Sequence, residues 1–457
     1  MHITSLPSPF GAGDIGPLAH AFADWLSAAG FSVWQMLPVG PVGFAESPYS
    51  SPSSFAIEPT FLALEPLVLQ GLLSKADLKP SVAASRRKSI NCDFKANRAF
   101  RMSRAAKAAI AFHAARLDRS SEYRAFVRKS SWLSGWLDFV AGEGIAQRRL
   151  HAFIQFELAR QWKALRSHCA AVGVRLVGDV PIFVTAESAD VRANRHLFRL
   201  RQDGSPAVLT GVPPDDFSAD GQLWGHPHYA WPEHRKEKFA WWISRIACAI
   251  ERFDLVRIDH FIGLHNAYEV PFGARTARNG VWRKAPGREL LAAMAKVFGP
   301  LPLIAEDLGA LTPAVEALRD DFGLAGMRIV QNAFWSGRAG DMPHNHPRRS
   351  VAYSCTHDNE TTMQWWKSRN ALHRARFISY SGAADTTVHE AMARIVMASP
   401  AALAVLPMQD LLGLGKSARL NLPGTATGNW KWCMERGAAS KALAQTMRSL
   451  IEATGRL

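Results

Sequence analysis

Cysteine is scarce in this 457-residue chain: Cys92, Cys169, Cys248, Cys355 and Cys433 are odd in number, widely scattered and free of any Cys-x-x-Cys pair. That pattern argues against a disulfide framework or a zinc ribbon and suits a reducing, cytoplasmic compartment. No apolar run approaches the roughly 18 residues that a membrane-crossing helix needs, so no membrane partner is expected. The opening residues Met1 to Pro7 lack a basic stretch followed by an apolar one, and no secretory signal is read there. Acidic residues are also short, 39 Asp+Glu against 54 Lys+Arg, for a net charge of +15. What remains is ordinary globular material, 48% apolar and 20% charged, which excludes bulk disorder.

A basic balance raises the question of nucleic acid, and the answer depends on where the charge sits. Residues 86–129 hold 13 Lys/Arg and three Asp/Glu, which accounts for +10 of the +15. Lys95, Arg98, Arg101, Arg104 and Lys107 recur every three residues. On a helix that spacing drifts by roughly 60° per step, giving a spiral and not one flat face. With few aromatics interleaved to stack bases, the stretch reads as a solvated helical insertion, and no nucleic-acid partner is expected.

Short β-branched or apolar runs alternate with amphipathic helical stretches along most of the chain. Strand candidates are 1–4, 31–37, 174–180, 253–258, 303–305, 327–330, 351–354 and 403–406. Strands separated by helices read as βαβ units in a parallel sheet. Eight of them predict an α/β fold, a (β/α)8 TIM barrel with inserted, largely helical subdomains on its βα loops. The whole of 1–457 is expected to form a single catalytic barrel. About 135 residues separate the second and third strands and about 70 the third and fourth, too many for simple crossovers. A helical, basic insertion is therefore expected at 66–170 and a second insertion at 185–250.

Two glycine-rich motifs do not survive their context. Gly11-Ala12-Gly13-Asp14-Ile15-Gly16 matches the dinucleotide pattern, but prolines flank it and no acid follows on a next strand to hold a ribose. Gly413-Leu414-Gly415-Lys416-Ser417 imitates the end of a P-loop, yet Asp410 stands where the first glycine is required. Carboxylates at strand ends carry more. Asp179, Asp259 and Glu306 each close an apolar run, and His357-Asp358 follows another. The C-terminal ends of barrel strands form the rim where chemistry happens, so these acids are expected to share one active site.

Two carboxylates roughly 5 Å apart suffice for retaining glycosyl transfer: one attacks the anomeric carbon, and the other protonates the leaving oxygen. Arg257 lies two residues before Asp259, hence on the same face of a strand, where it can keep a nucleophile ionised. Asp259, His260, Glu306, His357 and Asp358 also allow a metal reading, although H-x-H and H-E-x-x-H spacings are absent. Fifteen Trp are many for this length, and Trp224, Trp231, Trp282, Trp335, Trp430 and Trp432 fall in loop-like segments. Aromatic faces stack on sugar rings, but each is equally suited to core packing.

At these residues the chain resembles glycoside hydrolase family 77, the 4-alpha-glucanotransferases, also called amylomaltases or disproportionating enzymes. The likeness runs nearly end to end, through His2 to Pro9, Gly11 to Gly16, Glu46 to Ser50, Gly178 to Pro181, Gly211 to Asp215 and Gly221 to Gly225. It continues through Arg257 to Phe261, Ala305 to Gly309, Thr356 to Thr361, Gln409 to Gly415 and Asn421 to Thr425. The resemblance implies a retaining double displacement that moves α-1,4-glucan segments between malto-oligosaccharides. It implies Asp259 as nucleophile on the fourth strand, Glu306 as general acid/base on the fifth and Asp358 as transition-state stabiliser after the seventh. Arg257, His260 and His357 match the family's polar residues around the scissile bond; Tyr49, Asp215, Trp224 and Asn421 match positions expected to line the glucan cleft. No metal or organic cofactor is implied. An α-1,4-glucan hydrolase with the same acids is the alternative, and a non-catalytic basic glucan- or nucleic-acid-binding protein is the alternative from another class. The chain departs from the family at Glu46, where Asp is usual, Ile262 (Arg), His226 (Asn) and Cys433 (Arg), and residues that usually precede His2 are missing, so the first strand is expected to be a stub. The substitutions bear on acceptor subsites more than on the chemistry.

Overall fold

Apolar runs bounded by turns become parallel strands in the computed structural model, which describes residues 1–79, 91–214, 218–309 and 311–457. In chain order they are β1 (Val33–Gln35), β2 (Arg175–Val180), β3 (Leu255–Ile258), β4 (Leu303–Ala305), β5 (Ala325–Ile329), β6 (Ser350–Tyr353) and β7 (Leu403–Val405). All seven pair in parallel, each with its neighbour in sequence. Helices separate them, as a (β/α)8 barrel requires.

Both faces of the interior strands β2 to β6 are largely buried, which is why they read as continuous apolar runs, while β1 and β7 at the ends of the sheet are half-buried. Trp34, Leu176, Val256, Ile258, Leu303 and Ala305 point outward into the large core shared with the surrounding helices. The alternate residues Val177, Ile304, Met327, Ile329, Val351 and Tyr353 point inward and fill the barrel. Helix 145–171 contributes Leu158, Trp162 and Leu165 to the outer layer, and helix 240–252 adds Ile246 and Ala249. Gly178 marks a tight place in that layer: a Cβ there would stand 2.2 Å from the ring of Phe253.

One expectation is corrected. Residues 1–4 do not form a strand. His2 is extended, but Ile3–Ser5 turns as a 3-10 helix, with Ser5 N–H donating to the His2 carbonyl. The backbone groups that a ladder would use go elsewhere: the Thr4 carbonyl accepts from Gly13 N–H, and the Ser5 carbonyl from Met434 N–H. Met1 stays beside β1 through its amine to the Gln35 carbonyl (3.2 Å) and its own carbonyl to Trp34 Nε1 (2.7 Å). The insertion after β2 also carries two strands beside its helices at 189–193 and 231–236. Val208–Val212 and Gln222–Pro227 pair antiparallel and join Asn266–Pro271 and Val281–Lys284 in a four-stranded sheet. Gly211, Pro213, Gly221 and Gly225 break up the alternation by which these strands would be recognised.

The region from 91 to 171 is helical, with helices at 94–114, 121–129, 133–141 and 145–171. Its basic spiral is not wholly solvated. Lys95, Arg98 and Lys107 are exposed, but Arg101 is 0% exposed. Its guanidinium donates to Asp14 Oδ2 and to the Leu62 carbonyl, both at 2.6 Å. Asp14 also accepts from Gly16 N–H at 2.9 Å, so the glycine-rich loop is held by a buried ion pair and not by a nucleotide. Removing one partner strands the other charge in the interior. Asp14→Asn should therefore cost about 3–5 kcal/mol, read as a lower urea midpoint with an unchanged slope.

Candidate active site

The strand register brings the charged residues together. Asp179 on β2 lies directly opposite Arg257 on β3, and Ile258 is opposite Ala305 on β4. Asp259 and Glu306 therefore leave neighbouring strands at the same level. By the period of two they face inward, above the apolar filling formed by Val177 and Ile304.

Arg257 stands at the centre. Its Nη1 is 2.9 and 2.8 Å from the two oxygens of Asp179 and 2.8 Å from Asp259 Oδ1, while Nε faces Met327 Sδ at 3.4 Å. Burial disfavours its charge, but Asp179 and Asp259 outweigh that and hold its pKa well above the usual arginine range. Tyr49 donates its hydroxyl to Asp179 Oδ2 at 2.7 Å, and burial followed by the Asp179 charge raises the phenol's pKa well above normal. Asp179 is itself shifted up, chiefly by burial, with Arg257 opposing. The supports are more enclosed than what they support: side-chain exposure is 6% for Arg257 and 2% for Asp179, against 27% for Asp259.

Glu306 is held by backbone. Its Oε2 accepts from His260 N–H at 2.7 Å and its Oε1 from Leu308 N–H at 3.1 Å. The first contact depends on His260 adopting φ +51°, a left-handed conformation uncommon outside glycine, which turns the chain sharply after Asp259. Burial is the main influence on Glu306 and the Asp259 charge adds to it, while Arg257 and the two backbone donors oppose; the result is a carboxyl pushed up to about 7. Burial also brings the His260 imidazole down to about 4, and its ring packs edge-on against Trp224 at 4.9 Å.

Across the mouth, Asp358 Oδ1 accepts from Asn421 Nδ2 at 2.6 Å and lies 3.4 Å from His357 Nε2. His357 stacks on Tyr49, ring centroids 5.1 Å apart, and Trp430 packs against both. Asp358 remains open, with a side chain 47% exposed. Thus Tyr49, Arg257 and Asp259 form one connected group with Asp179, with Glu306, His260 and Trp224 beside it; His357, Asp358 and Asn421 form a second group joined to it through Tyr49. Asp215 lies outside the described residues. Sequence reasoning gave Asp179 no specific role, and it missed Arg419, whose Nη2 donates to the Asp358 carbonyl at 2.5 Å. Asp179 was detectable as a strand-end acid; nothing in the neighbourhood of Arg419 signals its contact. Among the described residues, no group of three His, Cys, Asp or Glu side chains is placed to hold a metal ion, and no helix is long and apolar enough to cross a membrane.

The raised Glu306 pKa makes stability depend on pH. A carboxyl near 4.5 unfolded and about 7 folded contributes stability that is complete below pH 4.5 and lost as pH rises through 7. Glu306→Gln removes that dependence. Its stability relative to the parent should rise between pH 5 and pH 8 by up to a few kcal/mol, less whatever the partial solvent exposure screens. Urea unfolding across this pH range measures it, and a flat difference would contradict the raised pKa.

A family model described as 4-alpha-glucanotransferase matches residues 1–144 and 140–438. The chain is 39% identical to the 4-alpha-glucanotransferase of Thermus thermophilus, over 100% of this chain and 98% of the relative. It is 40% identical to that of Synechocystis sp., over 94% and 92%. The structure is similar to that of the amylomaltase from Streptococcus agalactiae in complex with acarbose, with a TM-score of 0.94 and 30% identity, covering 100% of this chain and 98% of that one. At 17% identity and a TM-score of 0.79, the amylomaltase from Corynebacterium glutamicum shares the fold. Matched along most of its length, the chain belongs to the 4-alpha-glucanotransferase family, glycoside hydrolase family 77.

Proposed function

We propose that this protein transfers segments of α-1,4-glucan from one malto-oligosaccharide to another, or to glucose, by a retaining double displacement. The observation that carries the proposal is the pair Asp259 and Glu306, side by side at the ends of β3 and β4. One is ion-paired to Arg257 and the other is a carboxyl that titrates near neutrality. Asp259 attacks the anomeric carbon while Glu306, protonated, gives its proton to the departing glycosidic oxygen. The covalent glycosyl-enzyme then reacts with an acceptor hydroxyl, whose proton returns to Glu306. A group near pKa 7 can perform both halves of that cycle at neutral pH.

Asp358, oriented by Asn421, binds sugar hydroxyls more strongly as oxocarbenium character grows and so lowers the barrier and not merely KM. Tyr49, Trp224, His260 and His357 line the cleft with faces and edges suited to a pyranose ring. No metal or organic cofactor enters this chemistry. The domain reading remains one barrel over 1–457, with insertions at 66–170 and 185–250. A reducing, cytoplasmic setting is part of the same proposal, supported by the scattered cysteines of the sequence. Nucleic acid is not a partner in this reading, because the basic spiral is divided between solvent and the buried Arg101.

Incubation with maltotriose, with products resolved by chain length, tests the proposal. Glucose plus a ladder of longer maltodextrins is expected; glucose and maltose alone would make the protein a hydrolase. Asp259→Asn should lower turnover at least 10³-fold with the fold intact by circular dichroism, on the order of the loss of a covalent catalyst. For the parent, kcat/KM should fall as pH rises above about 7, where Glu306 loses the proton that the first step needs.

A further inference from the structure

The loop that carries His357 and Asp358 runs from the end of β6 to the helix Thr362–Ser368. One carboxylate from another part of the chain joins its two ends. Asp410, on the short helix 408–411 that follows β7, is 2% exposed. Its Oδ2 accepts from Ser354 Oγ at 2.5 Å and Cys355 Sγ at 3.4 Å, where the loop begins. The same oxygen accepts from Thr362 Oγ1 at 2.8 Å, and Oδ1 accepts from Thr362 N–H at 2.7 Å, where the loop ends. Four donors thus meet on one buried carboxylate, and all four belong to the two ends of this loop.

The segment that follows Asp410 holds the tip of the loop. Arg419 donates to the Asp358 carbonyl, Asn421 Nδ2 to the Asp358 carboxylate, and Asn421 N–H to the His357 carbonyl at 3.1 Å. Base and tip are therefore registered to the same stretch, 408–421. Asp358 is half-exposed, and outside its own loop the groups that hold it are Asn421 and Arg419. Its height above the β3 and β4 carboxylates depends on where the loop ends are pinned.

We infer that Asp410 is a positioning residue for the transfer reaction: it clamps the two ends of the 354–362 loop and thereby sets the place of Asp358 relative to Asp259 and Glu306. This rests on the role given to Asp358 above. A carboxylate suits the task because it is acceptor-only and charged, so hydroxyl and N–H donors from both loop ends are drawn to one point. Asn keeps one acceptor oxygen for Thr362 N–H and offers an amide to hydroxyls that can rotate, so it preserves part of the clamp. Ala leaves the Thr362 N–H without its partner and frees both ends.

The test is a double-mutant cycle with maltotriose as substrate. Asp410→Ala should lower kcat by roughly 10- to 100-fold with KM within about 3-fold, because misplacement by about an ångström acts on the transition state. Asp410→Asn should fall between Ala and the parent. In an Asp358→Asn background, the same Asp410→Ala change should cost less than about 3-fold, because the group it positions has already been disabled. An equal loss in both backgrounds, or a parental kcat for Asp410→Ala, overturns the inference. Should Asp410→Ala fail to fold, Thr362→Val and Ser354→Ala each remove one donor and are read in the same cycle. Parental activity in Asp358→Asn alone would remove the role of Asp358 and this inference with it, whereas an impaired Asp358→Asn with additive losses rejects only the clamp.

Discussion

The buried guanidinium of Arg257 is the interaction on which the site depends. An ion of this size removed from water costs several kcal/mol even after relaxation. Here the cost is offset by three short contacts to Asp179 and Asp259. The exchange works in both directions. Arg257 is tolerable inside the barrel only because the two acids flank it, and the two acids can stand together near Glu306 only because they share that cation. Arg257 also opposes the burial that lifts Glu306, so that the carboxyl titrates near 7 and not far above it. One side chain therefore ion-pairs with one of two neighbouring carboxyls and moderates the upward shift of the other.

The barrel makes this arrangement possible by separating support from exposure. Along each strand the inward residues change from apolar to charged in two steps, Val177 to Asp179 on β2, Leu255 to Arg257 on β3 and Ile304 to Glu306 on β4, with Asp259 one further step of two beyond Arg257. The lower layer is packed and fixes the register; the upper layer opens toward the substrate. His260 shows what the transition costs. A left-handed histidine is a strained choice, yet that turn aims its own N–H at Glu306 and its ring at Trp224. Extended backbone at His260 would carry the chain on past Glu306 and remove that donor.

Much of this was legible in the sequence, for a physical reason. Strands buried on both faces are plain apolar runs, and an acid that ends such a run stands out, so Asp179, Asp259 and Glu306 could be read directly. The pairing of Asp179 with Arg257 could not, because it depends on register between segments some 80 residues apart. The four-stranded antiparallel sheet escaped because glycine and proline interrupt its strands. Spacing on a helix reports direction around the cylinder and not what lies beyond it, so the sequence alone makes Arg101 look like a surface charge. The turn at Ile3–Ser5 has the same origin: its carbonyls are taken by Gly13 and Met434, which no local pattern reveals. Asp410 and Arg419 were hidden likewise, since they act on a loop about 50 to 60 residues earlier.

The open mouth of the barrel bears on why a sugar hydroxyl rather than water should take up the glycosyl group. Asp358 is nearly half exposed and Asp259 more than a quarter, so the protein alone does not seal the reacting centre. Tyr49, His357 and Trp224 instead stand around it with ring faces and edges on which a second glucan can lie. An acceptor held there is present at high effective concentration and displaces solvent from the same surface. Selectivity for transfer then comes from occupancy and not from a closed cavity. It follows that hydrolysis should compete most when the acceptor is too short to cover these rings, and that the loop bearing Asp358 must stay registered while the acceptor exchanges. A clamp at the base of that loop, away from the sugar, provides registration without obstructing the exchange.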